Sequence, residues 1–182
     1  MREAKVWLGV LVLVICSAVF SGSAKATSEN NLLSKDSTEI SATPKVAFLV
    51  SNEKKLKAYE NAHNLTDGQL VDMLSAVGFS GQSLRSACAI AKAESNGRPL
   101  AFNGNVKTGD NSYGVFQINM LGELGLDRRE KFELESNAEL LNPVTNAKIA
   151  LHMTDGGKDW SSWSSINGKR YQEWYSKYPC KK

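Results

Sequence analysis

The chain has 182 residues, 42% of them hydrophobic and 23% charged, and a formal net charge of +3. Those proportions suit one domain of ordinary globular composition and give no sign of two enzymes joined together. Residues 1–26 carry Arg2, Lys5 and Lys25 against Glu3, so the charge falls by two to +1 without them; a chain so near neutrality has little electrostatic drive toward nucleic acid.

In chain order, Arg2 and Lys5 precede an uncharged apolar run from Val6 to Phe20, which is followed by Ser21-Gly-Ser-Ala-Lys-Ala26. A basic flank, a short apolar core and Ala24-x-Ala26 together read as a secretory signal over residues 1–26. The competing reading is a membrane anchor, but the run is shorter than the roughly 20 residues a spanning helix needs, so no integral membrane span is expected after cleavage. Cys16 is not read as a lipoprotein site, because the preceding Ile15 is too large. Thr27 to Thr43 is rich in Ser, Thr, Asn and Glu and too poor in apolar groups to offset the entropy of ordering, which predicts a flexible arm. Pro44 to Asn64 is expected to be helical, with Glu53 and Lys57 as an i, i+4 pair. Residues 27–64 thus form an arm and a helix ahead of a domain over 65–182. Lys54, Lys55 and Lys57 alternate with Glu53 and Glu60, as on a solvated face.

Thr66-Asp-Gly-Gln69 is a capping box. Leu70, Met73, Leu74 and Val77 then mark one helical face, which Gly78 ends. Ser80-Gly-Gln-Ser83 opens a second helix after so short a gap that the two should pack as a hairpin. In this second helix Leu84, Ala87, Cys88 and Ala91 form a buried stripe. Glu94 leaves the helix on the edge of that stripe, and Asn96-Gly97 and Pro99 stop the helix within a turn. A carboxyl half-shielded by apolar neighbours holds its proton toward neutral pH, as a general acid must. The competing reading is a last-turn surface glutamate.

Between Asn96 and Gln117 the glycines, Asn and Asp residues are turn chemistry, with at most a small β-ribbon. Asn103 and Asn105 are candidates for binding the hydroxyls of a ligand, although asparagine is common in turns. Ser136-Asn-Ala-Glu139 resembles a helix start, and Asn142-Pro143 another. Ala147, Ala150, Leu151 and Met153 give the latter a small-residue face suited to packing on the Glu94 helix. Gly156-Gly157 breaks the chain before an aromatic-rich end with Trp160, Trp163, Tyr171, Trp174, Tyr175 and Tyr178. Trp160 and Trp163 suit either the wall of a binding cleft or a core. His63 and His152 are isolated, no His/Cys/Asp cluster has metal spacing, and no phosphate-binding glycine loop follows a strand. Neither metal nor cofactor is expected.

The ordered set Glu94-Ser95, Ser112-Tyr113-Gly114, Gln117-Ile118-Asn119, Asn142-Pro143 and Trp160 with Trp163 resembles the lysozyme-like superfamily. The wording from Asp110 to Met120 is most similar to the lytic transglycosylase and phage-lysozyme branch, and the resemblance covers roughly Thr66 to Tyr178. It implies a mainly α (α+β) fold, in which a β-ribbon or loop wall stands beside the catalytic helix. It also implies cleavage of the glycan strands of peptidoglycan. Glu94 matches the catalytic acid, and the matching positions make Ser112, Tyr113, Gln117, Asn119, Asn142, Trp160 and Trp163 candidates for substrate contact. Animal-type lysozymes carry an aspartate where Ser112 stands, so the nearest carboxylate here is Asp110. That departure, with three cysteines in all, favours the single-glutamate branch.

The expected protein is therefore a secreted or periplasmic monomer. It would cut the β-1,4 bond between N-acetylmuramic acid and N-acetylglucosamine as a lytic transglycosylase, or as a hydrolase in which Asp110 orients water; a non-catalytic wall-binding module is the reading of another class. With Cys16 removed by signal cleavage, Cys88 and Cys180 leave one pair open to bridging in an oxidising compartment. The opposing reading is two free thiols, Cys88 as a small buried hydrophobe and Cys180 near a loose terminus.

Overall fold

The computed structural model describes residues 52–180. The signal segment, the arm as far as residue 51 and the last two residues lie outside them. Residues 52–57 are helical, with Leu56 buried. The helix expected up to Asn64 stops there, because Ala58, Tyr59 and Ala62 donate to carbonyls only three residues back and tighten the chain into turns.

Helix α1, Asp67–Val77, begins at the capping box: Thr66 Oγ1 accepts from the Gln69 amide at 3.2 Å, and Gln69 Oε1 accepts from the Thr66 amide at 2.9 Å. It buries Leu70, Met73 and Leu74 and ends at Gly78, whose φ of 127° suits glycine. Helix α2, Gly81–Ser95, follows at once and packs against α1. Its centre from Ala87 to Ala93 is wholly buried. Four alanines in that stretch keep the surface low, so a neighbour approaches closely.

That neighbour is the C-terminal helix α5, Lys169–Ser176, which packs along α2 through Tyr171 and Trp174. The small-residue face of helix α4, Pro143–Met153, predicts that helix in this role. It lies instead against α1 and the 3-10 turn Asn137–Leu141. An alanine-rich face permits close packing but does not name the partner. The Ser136 capping box is formed, yet the turn it starts runs only to Leu141: Asn142 is extended (ψ 115°) ahead of Pro143, which has no amide hydrogen and restarts the helix.

Between α2 and α4 stands a three-stranded antiparallel sheet of two-residue strands. They are β1 Phe102–Asn103, β2 Ser112–Tyr113 and β3 Ile118–Asn119, in that order, with Phe102 opposite Tyr113 and Ser112 opposite Asn119. The fold is thus mainly helical with a small β wall, as anticipated. Helix α3, Gly122–Lys131, was not anticipated. It buries only Gly125, and so has no apolar stripe, but Glu123 in its first turn and Arg128, Arg129 and Lys131 in its last suit the helix dipole. Among the described residues no helix is long and apolar enough to cross a membrane.

Cys88, wholly buried on α2, is bridged to Cys180, their Cα atoms 6.3 Å apart. The bridge fixes the chain beyond α5 to the middle of α2. Lys92, 2% exposed, is held on the same helix by Asp67 Oδ1 at 2.7 Å and by the Trp174 ring, whose centroid is 4.4 Å from Nζ. A charge this buried needs such partners.

Candidate active site

The site is assembled at the C-terminal end of α2, where the sequence places a carboxylate and a hydroxyl side by side. Ser95 faces inward. Its Oγ donates to the Val115 carbonyl at 2.7 Å and lies 3.2 Å from that of Ala91, while accepting from the Arg98 amide at 3.1 Å. Asn96 then closes the helix in the left-handed region at φ 59°.

The turn that Ser95 grips, Gly114 to Gln117, is held from its other side by Asn146 on α4, which is fully buried. Its Oδ1 accepts from the Phe116 amide at 2.9 Å, and its Nδ2 donates to the carbonyls of Tyr113 and Leu140. Gly114 has φ 74°, and a Cβ there would run into the Leu140 carbonyl and the Asn146 amide. Only glycine meets both demands. Gln117, with φ 48°, folds its side chain back so that Nε2 donates to the carbonyls of Ala101 and Gly114. Trp163 Nε1 donates to the Phe116 carbonyl at 2.7 Å. The Gly-x-x-Gln turn is therefore a strut joining α2, the residue ahead of β1 and α4.

A cavity of about 390 Å³ opens beside this strut. Glu94, Asn103, Asp110, Ser112, Gln117, Asn119 and Trp163 line it, joined by Leu124, Arg128, Met153, Ser162 and Ser164. Glu94 is half-buried and forms no ion pair among the described residues. Burial pushes its pKa above the ordinary value, and the negative charge of Asp110 adds to the rise. The Ser165 hydroxyl and the positive charge of Arg170 offset part of it. Ser165 Oγ is buried and makes no hydrogen bond of ordinary geometry. Arg170 is occupied by the Lys92 carbonyl, to which Nη2 donates at 3.1 Å.

The other sequence candidates divide. Asp110 Oδ1 accepts from Ser112 Oγ at 2.9 Å, which pairs those two on one wall. Asn119 also faces the cavity, but its amide is engaged: Oδ1 accepts from the Asn111 and Leu121 amides, and Nδ2 donates to the Gly109 carbonyl. Asn103 Oδ1 accepts from the Asn105 amide in a local turn. Tyr113, Asn142 and Trp160 are not brought to the cavity lining. The Tyr113 hydroxyl donates to Asn111 Oδ1, and its ring lies 4.8 Å from that of Phe102. Asn142 caps α4, its Oδ1 accepting from the Val144 and Thr145 amides. Trp160 is core, packed on Phe79 and Phe116 at 5.9 and 6.1 Å between ring centroids.

Arg128, Ser162, Ser164 and Ser165 were not singled out from sequence. Arg128 lies on the helix without an apolar stripe, and serines carry no positional signal of their own. Among the described residues no group of three or more His, Cys, Asp or Glu side chains could hold a metal ion.

Comparison with the curated proteins and with the solved structures finds no match. A family model described as a lysozyme-like domain matches residues 71–165. That span runs from α1 through Glu94, the sheet and the Gly114–Gln117 strut to the serines beside Trp163, and takes in more than half of the chain. The protein belongs to the lysozyme-like domain family.

Proposed function

We propose that the protein cleaves the β-1,4 bond between N-acetylmuramic acid and N-acetylglucosamine in peptidoglycan, as a lytic transglycosylase with Glu94 as its general acid and base. Membership of the lysozyme-like family suggests a peptidoglycan glycosidase. The observation that carries the finer reading is Glu94 itself, an unpaired carboxyl at the end of a buried helix, lining a polar cavity and inclined by burial to keep its proton.

In the first step Glu94 gives that proton to the bridging oxygen as the bond from C1 of the muramyl residue breaks, and positive charge develops on that ring. Glu94, now a carboxylate, takes the proton of the same sugar's 6-hydroxyl as its oxygen bonds to C1. The product is a 1,6-anhydro end, water is not consumed, and Glu94 is returned to its acid form. One carboxyl suffices for both transfers. Because peptidoglycan lies outside the cytoplasmic membrane, this reading goes with a secreted or periplasmic protein that acts on glycan strands as a monomer, and not on nucleic acid.

One observation favours a hydrolytic alternative: Asp110 lines the same cavity, and its charge is felt at Glu94. In that route Asp110 orients a water, whose hydroxyl goes to C1 and whose proton returns to Glu94. Mass analysis of the sugar ends released from purified peptidoglycan separates the two. Anhydro ends support the transglycosylase, and reducing ends alone assign hydrolysis. Glu94→Gln should lower turnover by roughly 10²–10⁴ with the fold kept; turnover within tenfold of wild type would remove Glu94 from the chemistry, and glycan binding without any turnover by the wild type would mark a binding module.

A further inference from the structure

Arg128 stands in the last turn of α3, on the wall of the cavity. The helix reaches this position by a backbone approach, since a Cβ on Gly125 would meet the Met120 carbonyl. A hydrogen bond from Arg128 Nη1 to the Asn119 carbonyl holds the guanidinium in place. That neutral oxygen does not balance the charge. Arg128 is half-buried and forms no ion pair among the described residues, so the rest of its fork of donors is without a protein acceptor. Burial accordingly pushes its pKa below the ordinary arginine value.

An unpaired cation in a partly desolvated wall is costly unless something fills its place. Two carboxylates share the cavity, yet neither is that partner: Asp110 is bonded to Ser112, and the cation whose field reaches Glu94 is Arg170. The planar guanidinium is suited to receiving a carboxylate through two parallel N–H donors. We propose that Arg128 binds a carboxylate carried by the glycan strand, so that the cleft prefers acidic glycan to neutral glycan of the same β-1,4 backbone. This rests on the reading of the cavity as a glycan cleft. On a peptidoglycan strand the carboxylate has two sources, the lactyl group of a sugar stripped of its peptide or the peptide itself.

The test measures binding by the full chain carrying Glu94→Gln, which keeps the cavity and slows turnover by roughly 10²–10⁴. The probes are peptide-bearing strands, peptide-free strands with exposed lactyl carboxylates, both again after amidation of their carboxyls, and neutral chitooligosaccharides. At least one acidic strand should bind roughly 10- to 100-fold more tightly than its amidated form. The strand that shows the difference identifies the source. Adding Arg128→Gln should remove the difference while leaving binding of the amidated strands unchanged, and Arg128→Lys should restore part of it.

Equal binding of acidic and amidated strands by the parent overturns the assignment without any Arg128 variant. So does an Arg128→Gln loss that is the same for all probes, which would make Arg128 only a brace for Asn119. Failure of the parent to bind any of these glycans would instead overturn the reading of the cavity itself.

Discussion

The Ser95 hydroxyl donates to the Val115 carbonyl at 2.7 Å, so the residue beside Glu94 is tied directly to the turn that forms the cavity wall. Sequence adjacency is thereby converted into a fixed distance between an acid and the surface its substrate would lie on. Ser95→Ala should cost about 1–3 kcal/mol, the range for removing one partner of a buried hydrogen bond. Chemical denaturation measures the stability, and turnover of purified peptidoglycan should fall further than the fraction folded accounts for. A variant with unchanged stability and rate would make the bond incidental.

Gly114 offers a sharper test, because two demands coincide there. Alanine at φ 74° is in the left-handed region, worth roughly 1–2 kcal/mol. Its methyl group would also press on Leu140 and Asn146, and overpacking of this kind adds about 1–3 kcal/mol. Gly114→Ala should therefore destabilise by about 2–5 kcal/mol in a denaturant melt. Gly109→Ala is the control: it shares a positive φ of 77° but has open space around it, so it should lose only the backbone part. Equal losses at the two sites would show that crowding at Gly114 has no energetic weight.

The raised pKa of Glu94 makes a prediction about stability as well as activity. A carboxyl whose folded pKa lies above its unfolded value binds protons more readily in the folded state, so its contribution is most favourable at low pH and declines as pH rises from the unfolded toward the folded value. Above both values the folded protein carries the full cost of the half-buried charge. Glu94→Gln removes that cost and keeps the shape. It should raise the melting temperature near pH 7, with the gain over wild type shrinking as pH is lowered through the ordinary carboxyl range. Activity should move in the opposite sense, wild type losing its acid form as pH rises through the Glu94 value. A melting-temperature difference that is the same at pH 4 and pH 7 would mean that the carboxyl is not perturbed.

What was legible in the sequence was local. The Thr66–Gln69 box, Gly78 and Asn142-Pro143 announce helix ends through chemistry within a few residues, and each end is found where it was expected. The position of Glu94 was legible too, because helical periodicity fixes the angle between a residue and its own apolar stripe. What depends on partners distant in sequence was not. Asn146 holds the Gly114–Gln117 turn from more than 25 positions away, and nothing in its neighbours distinguishes it from an ordinary helical asparagine. Helix α3, which carries Arg128, has no periodic signal because it buries one glycine and no side-chain stripe. The resemblance makes Asn119 and Asn142 candidates for sugar contact, yet their side-chain oxygens accept from the protein's own amides; composition cannot tell an asparagine facing a ligand from one holding its own backbone.

The bridge between Cys88 and Cys180 closes a loop with a sequence separation of 92, which encloses the sheet, α3, α4 and α5. Because Cys88 sits at the centre of α2 and Cys180 just beyond α5, the bridge constrains the same pair of helices whose packing carries Glu94 at one end. By the chain-entropy account, a loop of this size is worth about 4–5 kcal/mol through the unfolded state. Cys180→Ser should remove most of that stability under oxidising conditions. It should do little under strong reductant, where the wild-type bridge is itself open. Thiol titration of the denatured, unreduced protein is the direct measurement, made after any signal segment with Cys16 has been removed. No free thiol at monomer mass is expected, and two free thiols would show that α2 and the C-terminal segment are held without the bridge, by packing of Tyr171 and Trp174 and by hydrogen bonds such as that from Arg170 to the Lys92 carbonyl.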